Sequence, residues 1–147
     1  NGNAVRFEER NVRPTGRSAQ GVRGISLKDN DEVVGMVVAS DEKTLLSVTE
    51  NGYGKRTSIA EYRLINRGGS GVINIQCSER NGKVVSICSV TENDDVIFIS
   101  KNGIIIRVPA EDISVIGRNT QGVRLMKLEA NDKVVSAIRV LRENNGS

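Results

Sequence analysis

The 147-residue sequence repeats itself three times, with a period of about 50 residues. Asn-Gly begins at residues 1, 51 and 102, Gly-Val at 21, 71 and 122, and Val-Val at 33, 84 and 134. Arginine recurs at two further phases of the repeat, as Arg6, Arg56 and Arg107 and as Arg17, Arg67 and Arg118. Because these landmarks keep one spacing to within a residue, the sequence predicts a single domain over 1–147, with three tandem units at about 1–50, 51–101 and 102–147.

Each unit is predicted to be built from β-strands. Asn-Gly favours the positive φ angles of a tight hairpin turn, and strand-like segments flank it at 44–49 and 53–57 and again at 95–101 and 104–108. Further short strands are expected at 22–27, 72–77, 123–128, 33–38, 84–90 and 134–140. Glu111-Asp112-Ile113 suits a single helical turn. We therefore expect an all-β, propeller-like array of about three blades with four strands each.

Composition excludes several kinds of active site. The chain has no His and two Cys, so a His-ligated metal site, a Ser-His-Asp or Cys-His nucleophile and a four-thiolate zinc site are impossible. Cys77 and Cys88 lie in aliphatic strands and are expected to be buried, reduced thiols. The acidic pairs Asp94-Asp95, Asp29/Asp31 and Glu8-Glu9 are interpreted as solvated turns, not as metal sites. We expect no cofactor and no metal.

Nothing in the sequence predicts contact with a membrane. No stretch reaches the roughly 18 consecutive apolar residues of a spanning helix, and the first residues contain no apolar signal core. A cytoplasmic location is the expectation.

Positive charge is concentrated at one phase of the repeat. The net charge is +3, but 1–28, 53–76 and 104–128 carry +4, +3 and +2, which leaves −6 for the rest of the chain. In an array of blades, equivalent positions lie on the same face, so the recurring arginines are predicted to form a stripe. Such a stripe suits duplex DNA, which carries one negative charge per about 1.7 Å.

The predicted binding is to the DNA backbone and tolerant of sequence. An aromatic fraction of 3% does not favour stacking on unpaired bases. Phe98 is expected in the core, and Tyr53 and Tyr62 in packing or rim positions. The candidate DNA-binding residues are Arg6, Arg13, Arg17, Arg23, Lys55, Arg56, Arg63, Arg67, Arg107, Arg118 and Arg124.

Four segments resemble the family of C-terminal domains of the DNA gyrase A subunit, in the same order and over nearly the whole chain. They are Val12–Arg17, Glu50–Thr57, Ala60–Tyr62 and Ile113–Val123. The resemblance implies a β-pinwheel, a propeller variant whose blades exchange strands with their neighbours. It also implies a basic rim that wraps duplex DNA and supports negative supercoiling, without catalysis by this domain.

The same resemblance implies partners and size. The implied partners are the gyrase B subunit and the rest of the gyrase A subunit, with the DNA-cleaving tyrosine and the ATP site outside this chain and a location on the nucleoid. The family domain has about six blades, so three units are expected to be its C-terminal half. The family's Gln-Arg-Arg-Gly-Gly-Lys/Arg-Gly box is not intact; its nearest counterpart is Ile65–Gly71.

Three alternatives stay open at this point. The related domain of the topoisomerase IV A subunit is the nearest rival identity. A propeller whose basic rim binds an acidic protein is a second function, and an enzyme with a site in a propeller channel is a third. Unpaired strand edges in a half-array also predict a possible homodimer.

Overall fold

The computed structural model describes residues 2–8, 12, 23–28, 30–65 and 67–142. Its strands are β1 (Asn3–Ala4), β2 (Thr44–Thr49), β3 (Tyr53–Ser58), β4 (Val72–Ile73), β5 (Val84–Val90), β6 (Asp94–Ser100), β7 (Ile105–Pro109), β8 (Val123–Arg124) and β9 (Val134–Leu141). Single 3₁₀ turns at Ile59–Glu61 and Ala110–Asp112 follow β3 and β7. The all-β expectation is confirmed, and the helical turn predicted near residue 112 is present.

Two equivalent hairpins form the centre of the structure. β2 pairs antiparallel with β3, and β6 pairs antiparallel with β7. Gly52 and Gly103 in the two Asn-Gly turns have φ of +86° and +88°, a region that costs a residue with a side chain about 1–2 kcal/mol. An outer strand completes each sheet, β5 against β2 and β9 against β6. The predicted hairpins and two of the three predicted outer strands are therefore confirmed.

The core lies between these sheets and follows the two-residue period of the strands. Leu46 and Val48 of β2 and Val96 and Phe98 of β6 belong to one buried cluster, and the Phe98 side chain is fully enclosed as predicted. Burying each such side chain contributes about 1.5–3 kcal/mol to folding. The alternation in these strands thus holds the two hairpins against each other.

Neighbouring units exchange strands, and they do so with one register. β4 of the second unit pairs with β1 of the first, and β8 of the third unit pairs with β3 of the second. Ile73 lies opposite Asn3, and Arg124 lies opposite Tyr53, the position one repeat later. β8 thereby becomes the fourth strand of the sheet β5-β2-β3-β8. We call β4 and β8 the exchanged strands.

The carbonyl of an Asn-Gly glycine fixes each exchange. The Gly2 carbonyl accepts the amides of Asn74 and Ile75 at 2.9 and 3.2 Å, and the Gly52 carbonyl accepts those of Leu125 and Met126 at 2.7 and 3.1 Å. Each exchanged strand is shorter than the predicted six residues because the chain leaves the ladder where these paired bonds form.

The predicted strand at 33–38 is wrong, since the described segment 31–40 is irregular. Its counterparts β5 and β9 lie against β2 and β6, but the described part of the chain has no strand beside 33–38. Met36 and Val38 are each 87% exposed as a result. A strand needs a hydrogen-bonded neighbour, and apolar sequence alone does not supply one.

Gly52→Ala should cost about 3 kcal/mol of unfolding free energy, and Gly103→Ala about 1 kcal/mol. Both residues have positive φ, but a Cβ on Gly52 would lie 2.4 Å from the Met126 carbonyl oxygen, whereas one on Gly103 meets nothing within 4 Å. Urea unfolding of both variants measures the difference. Equal losses would show that the junction contact does not contribute.

Candidate nucleic-acid interface

The arginines at the first repeated phase lie at the junctions between units. Arg56, on β3, is 4% exposed, and its Nε–H donates to the carbonyl of Ile113 at 2.8 Å. Its backbone amide donates to Ser114 and its carbonyl accepts the amide of Ile116, at 3.0 and 2.8 Å. The side chain and the backbone of Arg56 thus bind the 3₁₀ turn region of the next unit.

Arg6 makes the same connection one unit earlier. One of its guanidinium nitrogens donates to the carbonyls of Ile59 and Tyr62 at 3.2 and 3.1 Å. Its carbonyl accepts the amide of Ile65 at 2.8 Å, and its second nitrogen forms an ion pair with Asp41 at 2.8 Å. Arg6 and Arg56 are therefore connectors between units.

Arg107 has no following unit to contact in the described part of the chain. Its Nε lies 2.7 Å from a carboxylate oxygen of Asp95, and its side chain is 49% exposed. Hydrogen bonds from Arg107 and then Arg142 hold the pKa of Asp95 below its ordinary value. Asp94 is likewise ion-paired, with Arg139 at 2.9 Å. The interpretation of Asp94-Asp95 as a solvated turn is wrong, because both residues are buried at the start of β6 and neutralised by arginines.

Each described arginine at the second repeated phase donates to a backbone carbonyl of the preceding unit. Arg67 donates to the carbonyl of Arg23 at 3.1 Å, and Arg118 donates to that of Ile73, one unit later, at 3.3 Å. Both are half-buried, and each of these two bonds is to a backbone carbonyl. We call Arg67 and Arg118 the loop arginines. Arg17, the third position of this phase, and Arg13 lie outside the described residues.

The loops that carry these arginines pack against the preceding unit in one geometry. The amide of Gly68 donates to Gly24 at 2.6 Å, and that of Asn119 donates to Asn74 at 3.1 Å. One residue further along each loop, the Gly69 carbonyl accepts the Ser26 amide and the Thr120 carbonyl accepts the Gln76 amide, both at 2.9 Å. The 73–76 segment is therefore held between Gly2 and β1 of the first unit and the loop of the third unit.

Arg23 and Arg124 occupy equivalent positions on these strand segments, and both are exposed. Arg124 donates to the Tyr53 hydroxyl at 3.0 Å, and its guanidinium carbon lies 5.4 Å from the centroid of the Tyr53 ring. Arg80 donates to the same hydroxyl at 3.2 Å, and its guanidinium carbon lies 5.1 Å from the centroid. Hydrogen bonds from Arg80 and then Arg124 lower the pKa of Tyr53. These residues line a cavity of about 280 Å³ that Lys133 also borders. Tyr53 itself is buried, in the packing role that was predicted.

Sequence reasoning missed Arg80. Counted from the Val-Val motif, its counterparts in the other units are Asp29 and Ala130, so a search for recurring arginines passes over it. Two acidic residues, Glu129 and Asp132, also border the cavity and reduce its positive charge.

Lys55 is fully buried in a polar network. Its Nζ donates to the carbonyls of Asn74 and Gly117 at 2.6 and 2.7 Å and to the Thr120 hydroxyl at 2.9 Å. The Tyr62 hydroxyl donates to the side-chain oxygen of the same Asn74. Burial lowers the pKa of Lys55 to about 8, so the ammonium is still charged at neutral pH and all three of its N–H groups find acceptors.

These positions correct the predicted set. Lys55 and Arg56 cannot meet a phosphate because internal carbonyls occupy them and solvent does not reach them. Arg63, beyond the 3₁₀ turn, is exposed. Cys77 and Cys88 are free and only partly buried, and burial raises the pKa of Cys88.

Neither a membrane span nor a metal cluster is found among the described residues. None of their helical segments has the length and apolarity to cross a bilayer. No group of three or more Cys, Asp and Glu side chains converges there as a metal site would require.

Arg56→Met should lower the free energy of unfolding by about 2–3 kcal/mol, because the buried Ile113 carbonyl loses its donor. Arg107→Met, the matched change at the equivalent position, should cost less than about 1 kcal/mol, as expected for an exposed ion pair. Denaturant unfolding compares them. A larger loss for Arg107→Met would contradict the assignment of Arg56 as a connector.

Lys55→Met should destabilise the fold by about 3 kcal/mol at neutral pH, since it leaves buried acceptors without a donor. The folded-state pKa of about 8 lies below the ordinary 10.5, so the unfolded chain binds more protons between these values. The contribution of Lys55 to stability therefore rises with pH over this interval and is flat below it. The difference in unfolding free energy between wild type and Lys55→Met should widen from pH 8 to 10; a constant difference would contradict it.

Comparison with protein families gives a match across the repeats. The family model described as the DNA gyrase C-terminal domain, beta-propeller, matches residues 1–40, 43–89 and 94–140. The DNA gyrase A subunit of Staphylococcus epidermidis is 49% identical over 143 residues, which are 96% of this chain and 16% of that protein. Its Staphylococcus aureus counterpart is 48% identical over 142 residues, with 95% and 16% covered. The chain thus spans about a sixth of the length of these relatives.

Solved structures give the same result. A DNA gyrase A C-terminal domain superposes with a TM-score of 0.88 at 33% identity, covering 95% of this chain and 48% of that one. The C-terminal domain of a DNA topoisomerase IV also gives 0.88, at 24% identity and with 96% and 44% covered, which shows a shared fold. The strand exchange, the repeated motifs and these matches agree with the resemblance found in the sequence, and the chain belongs to the family of DNA gyrase C-terminal domains, with the β-pinwheel form of the propeller fold.

Proposed function

We propose that this chain is a non-catalytic module that binds duplex DNA through its phosphates. Membership of the gyrase family and the position of the loop arginines support the proposal. Arg67 and Arg118 lie at equivalent places one unit apart, each half-buried and bonded to a carbonyl of the preceding unit, so they repeat along the array as a track would.

The proposed track includes Arg23 and Arg124, which occupy equivalent positions in the first and third units and are exposed. Arg63 is exposed and belongs to the proposed set as well. Guanidinium groups offer paired donors that match a phosphate, and neutralised phosphates release counterions. Arg13 and Arg17 lie outside the described residues, and they are kept in the proposed set because of their positions in the sequence repeat.

The remaining members of the predicted set contribute differently. Lys55 and Arg56 are omitted because they are buried, and Arg6 and Arg107 already hold carboxylates in ion pairs. Lys55, Arg56 and Arg6 position the track by joining the units.

Buried aromatic rings favour duplex over single-stranded DNA as the ligand. Tyr53, Tyr62 and Phe98 are each no more than 5% exposed, so their rings are not available for stacking on unpaired bases. The burial of both tyrosines also agrees with a module that leaves the DNA-cleaving nucleophile to another domain.

In a whole gyrase, we propose that this binding supports wrapping of DNA and negative supercoiling. The proposed partners there are the gyrase B subunit and the rest of the gyrase A subunit. The cytoplasm, at the nucleoid, is the corresponding location. The names of the relatives support this role.

A salt titration tests the proposal. For a short DNA duplex, the logarithm of the association constant should fall linearly with the logarithm of the salt concentration, with a slope of about 0.9 per phosphate contacted. The affinity should be the same for duplexes of unrelated sequence. Replacing Arg23, Arg67, Arg118 and Arg124 together by Gln should reduce the slope by about 3.6 if each contacts one phosphate.

A variant of equal charge change is the control. Arg107, Arg139, Arg142 and Lys101 are exposed, and the three arginines are held by Asp94 or Asp95. Their replacement by Gln should leave the slope within about 1 of wild type. Equal effects of the two variants, or no binding to duplex DNA, would contradict the proposed track. Binding to an acidic protein without binding to DNA would favour the protein-interaction alternative.

A further inference from the structure

The cavity beside Tyr53 contains two arginines that no carboxylate neutralises. Arg80 borders it from the second unit and Arg124 from the third, and both residues are exposed. Neither forms an ion pair with any described residue, whereas Arg107 and Arg139 are paired with aspartates at 2.7 and 2.9 Å. Two uncompensated guanidinium groups therefore meet at the junction of these units.

The Tyr53 hydroxyl holds the two guanidinium groups in place. The Arg80 Nε–H and an Arg124 Nη–H both donate to it, which fills its acceptor positions and leaves its own O–H for another partner. No described residue accepts that O–H, and each guanidinium has several further N–H donors. The two cations repel each other across one oxygen, so an anion bound between them stabilises the arrangement.

The rest of the cavity has the charge and the volume for a phosphate group. Its volume of about 280 Å³ is roughly nine times that of a water molecule, and Lys133 borders it with its ammonium on the Asn51 side chain. One oxygen of the buried Asp132 accepts the amides of Asn102 and Lys133. Glu129 is exposed, and its carboxylate has no described partner. Three cations and two carboxylates thus leave the lining net positive.

This arrangement occurs once in the described part of the chain. The strand registers place Asn3 and Ile73 at the first junction where Tyr53 and Arg124 lie at the second. An apolar side chain thus replaces one of the two guanidinium groups there, and Arg80 has no arginine counterpart. The cavity is therefore a single feature, unlike the repeated positions of the proposed track.

We propose that Tyr53, Arg80 and Arg124 form a binding site for one phosphate group, with Lys133 at its edge. The Tyr53 O–H and the free guanidinium N–H groups donate to the phosphate oxygens, in the paired, charge-assisted bonds that arginine forms with this ligand. The DNA backbone and a free phosphate compound both present such oxygens. Arg124 also belongs to the proposed track, but the site does not depend on duplex binding, and its tests use pyrophosphate without DNA.

Calorimetric titration with inorganic pyrophosphate at constant ionic strength tests the site. Wild type should bind one pyrophosphate per chain, and Arg80→Gln should weaken the affinity at least about tenfold, because it removes a charged donor. Lys83→Gln is the matched control, since Lys83 is exposed on the same loop, and it should change the affinity less than about twofold. Glu129→Gln should tighten binding. Equal effects of Arg80→Gln and Lys83→Gln, or no saturable binding by wild type, would overturn the proposal.

The ionisation of Tyr53 gives a second measurement, made on the unmodified protein. Hydrogen bonds from Arg80 and then Arg124 lower the pKa of Tyr53, whereas burial raises the pKa of Tyr62 to about 12, and the chain has no other tyrosine and no tryptophan. The first tyrosinate step in ultraviolet absorbance therefore belongs to Tyr53. Saturating pyrophosphate should move this step to higher pH than sodium chloride of equal ionic strength does, because a bound anion disfavours the phenolate. An unchanged step would show that no anion binds beside Tyr53.

Competition distinguishes the two sources of the phosphate. If a short DNA duplex displaces pyrophosphate, the site takes a backbone phosphate, and Arg80→Gln should also reduce the salt slope of DNA binding by about 0.9. If the duplex and pyrophosphate bind together and Arg80→Gln leaves that slope unchanged, the site takes a free phosphate compound. Binding of pyrophosphate without binding of duplex DNA supports the site and contradicts only the proposed function.

Discussion

The structure depends on one backbone contact, made twice: the carbonyl of an Asn-Gly glycine accepts two successive amides from the next unit. At Gly52 these amides belong to Leu125 and Met126, and the contact brings the third unit's backbone to within 2.4 Å of the position a Cβ would take. Only glycine fits there, and only a positive φ presents the carbonyl correctly. At Gly52 the Asn-Gly motif therefore serves both the hairpin and the junction.

This contact also decides what each arginine does. Receiving a strand brings the 3₁₀ turn of the following unit over the hairpin, and Arg6 and Arg56 become enclosed between them. The same packing leaves Arg67 and Arg118 only half-buried, each with a donor directed at a backbone carbonyl of the preceding unit. One series of arginines stabilises the array, and the other is presented by it. The charge of the chain is thus divided between internal connection and an external surface.

Much of the local structure could be predicted from the sequence, and the exchange could not. Asn-Gly between β-branched runs is a sufficient signal for β2–β3 and β6–β7, because a two-residue turn determines the pairing. The partner of β8 lies about 70 residues away from it in the chain, at Tyr53, and no local pattern encodes that choice. Residues 33–38 are as apolar as β5, yet they form no strand, since pairing requires a neighbour.

The candidate site shows the same division. Periodicity indicated correctly that the arginines are equivalent between units, but a phase does not tell which side of a sheet a residue lies on, so Arg56 and Arg118 could not be distinguished. Arg80 has no arginine counterpart in the other units and was missed, and Asp94-Asp95 is a neutralised buried pair that the polar residues around it concealed.

The division of the arginines between connection and DNA binding is tested most directly by an NMR titration that follows the arginine Nε–H signals as a short DNA duplex is added. The account predicts shifts for Arg23, Arg67, Arg118 and Arg124 and unchanged signals for Arg6 and Arg56; shifts at Arg56 with unchanged loop arginines would contradict it.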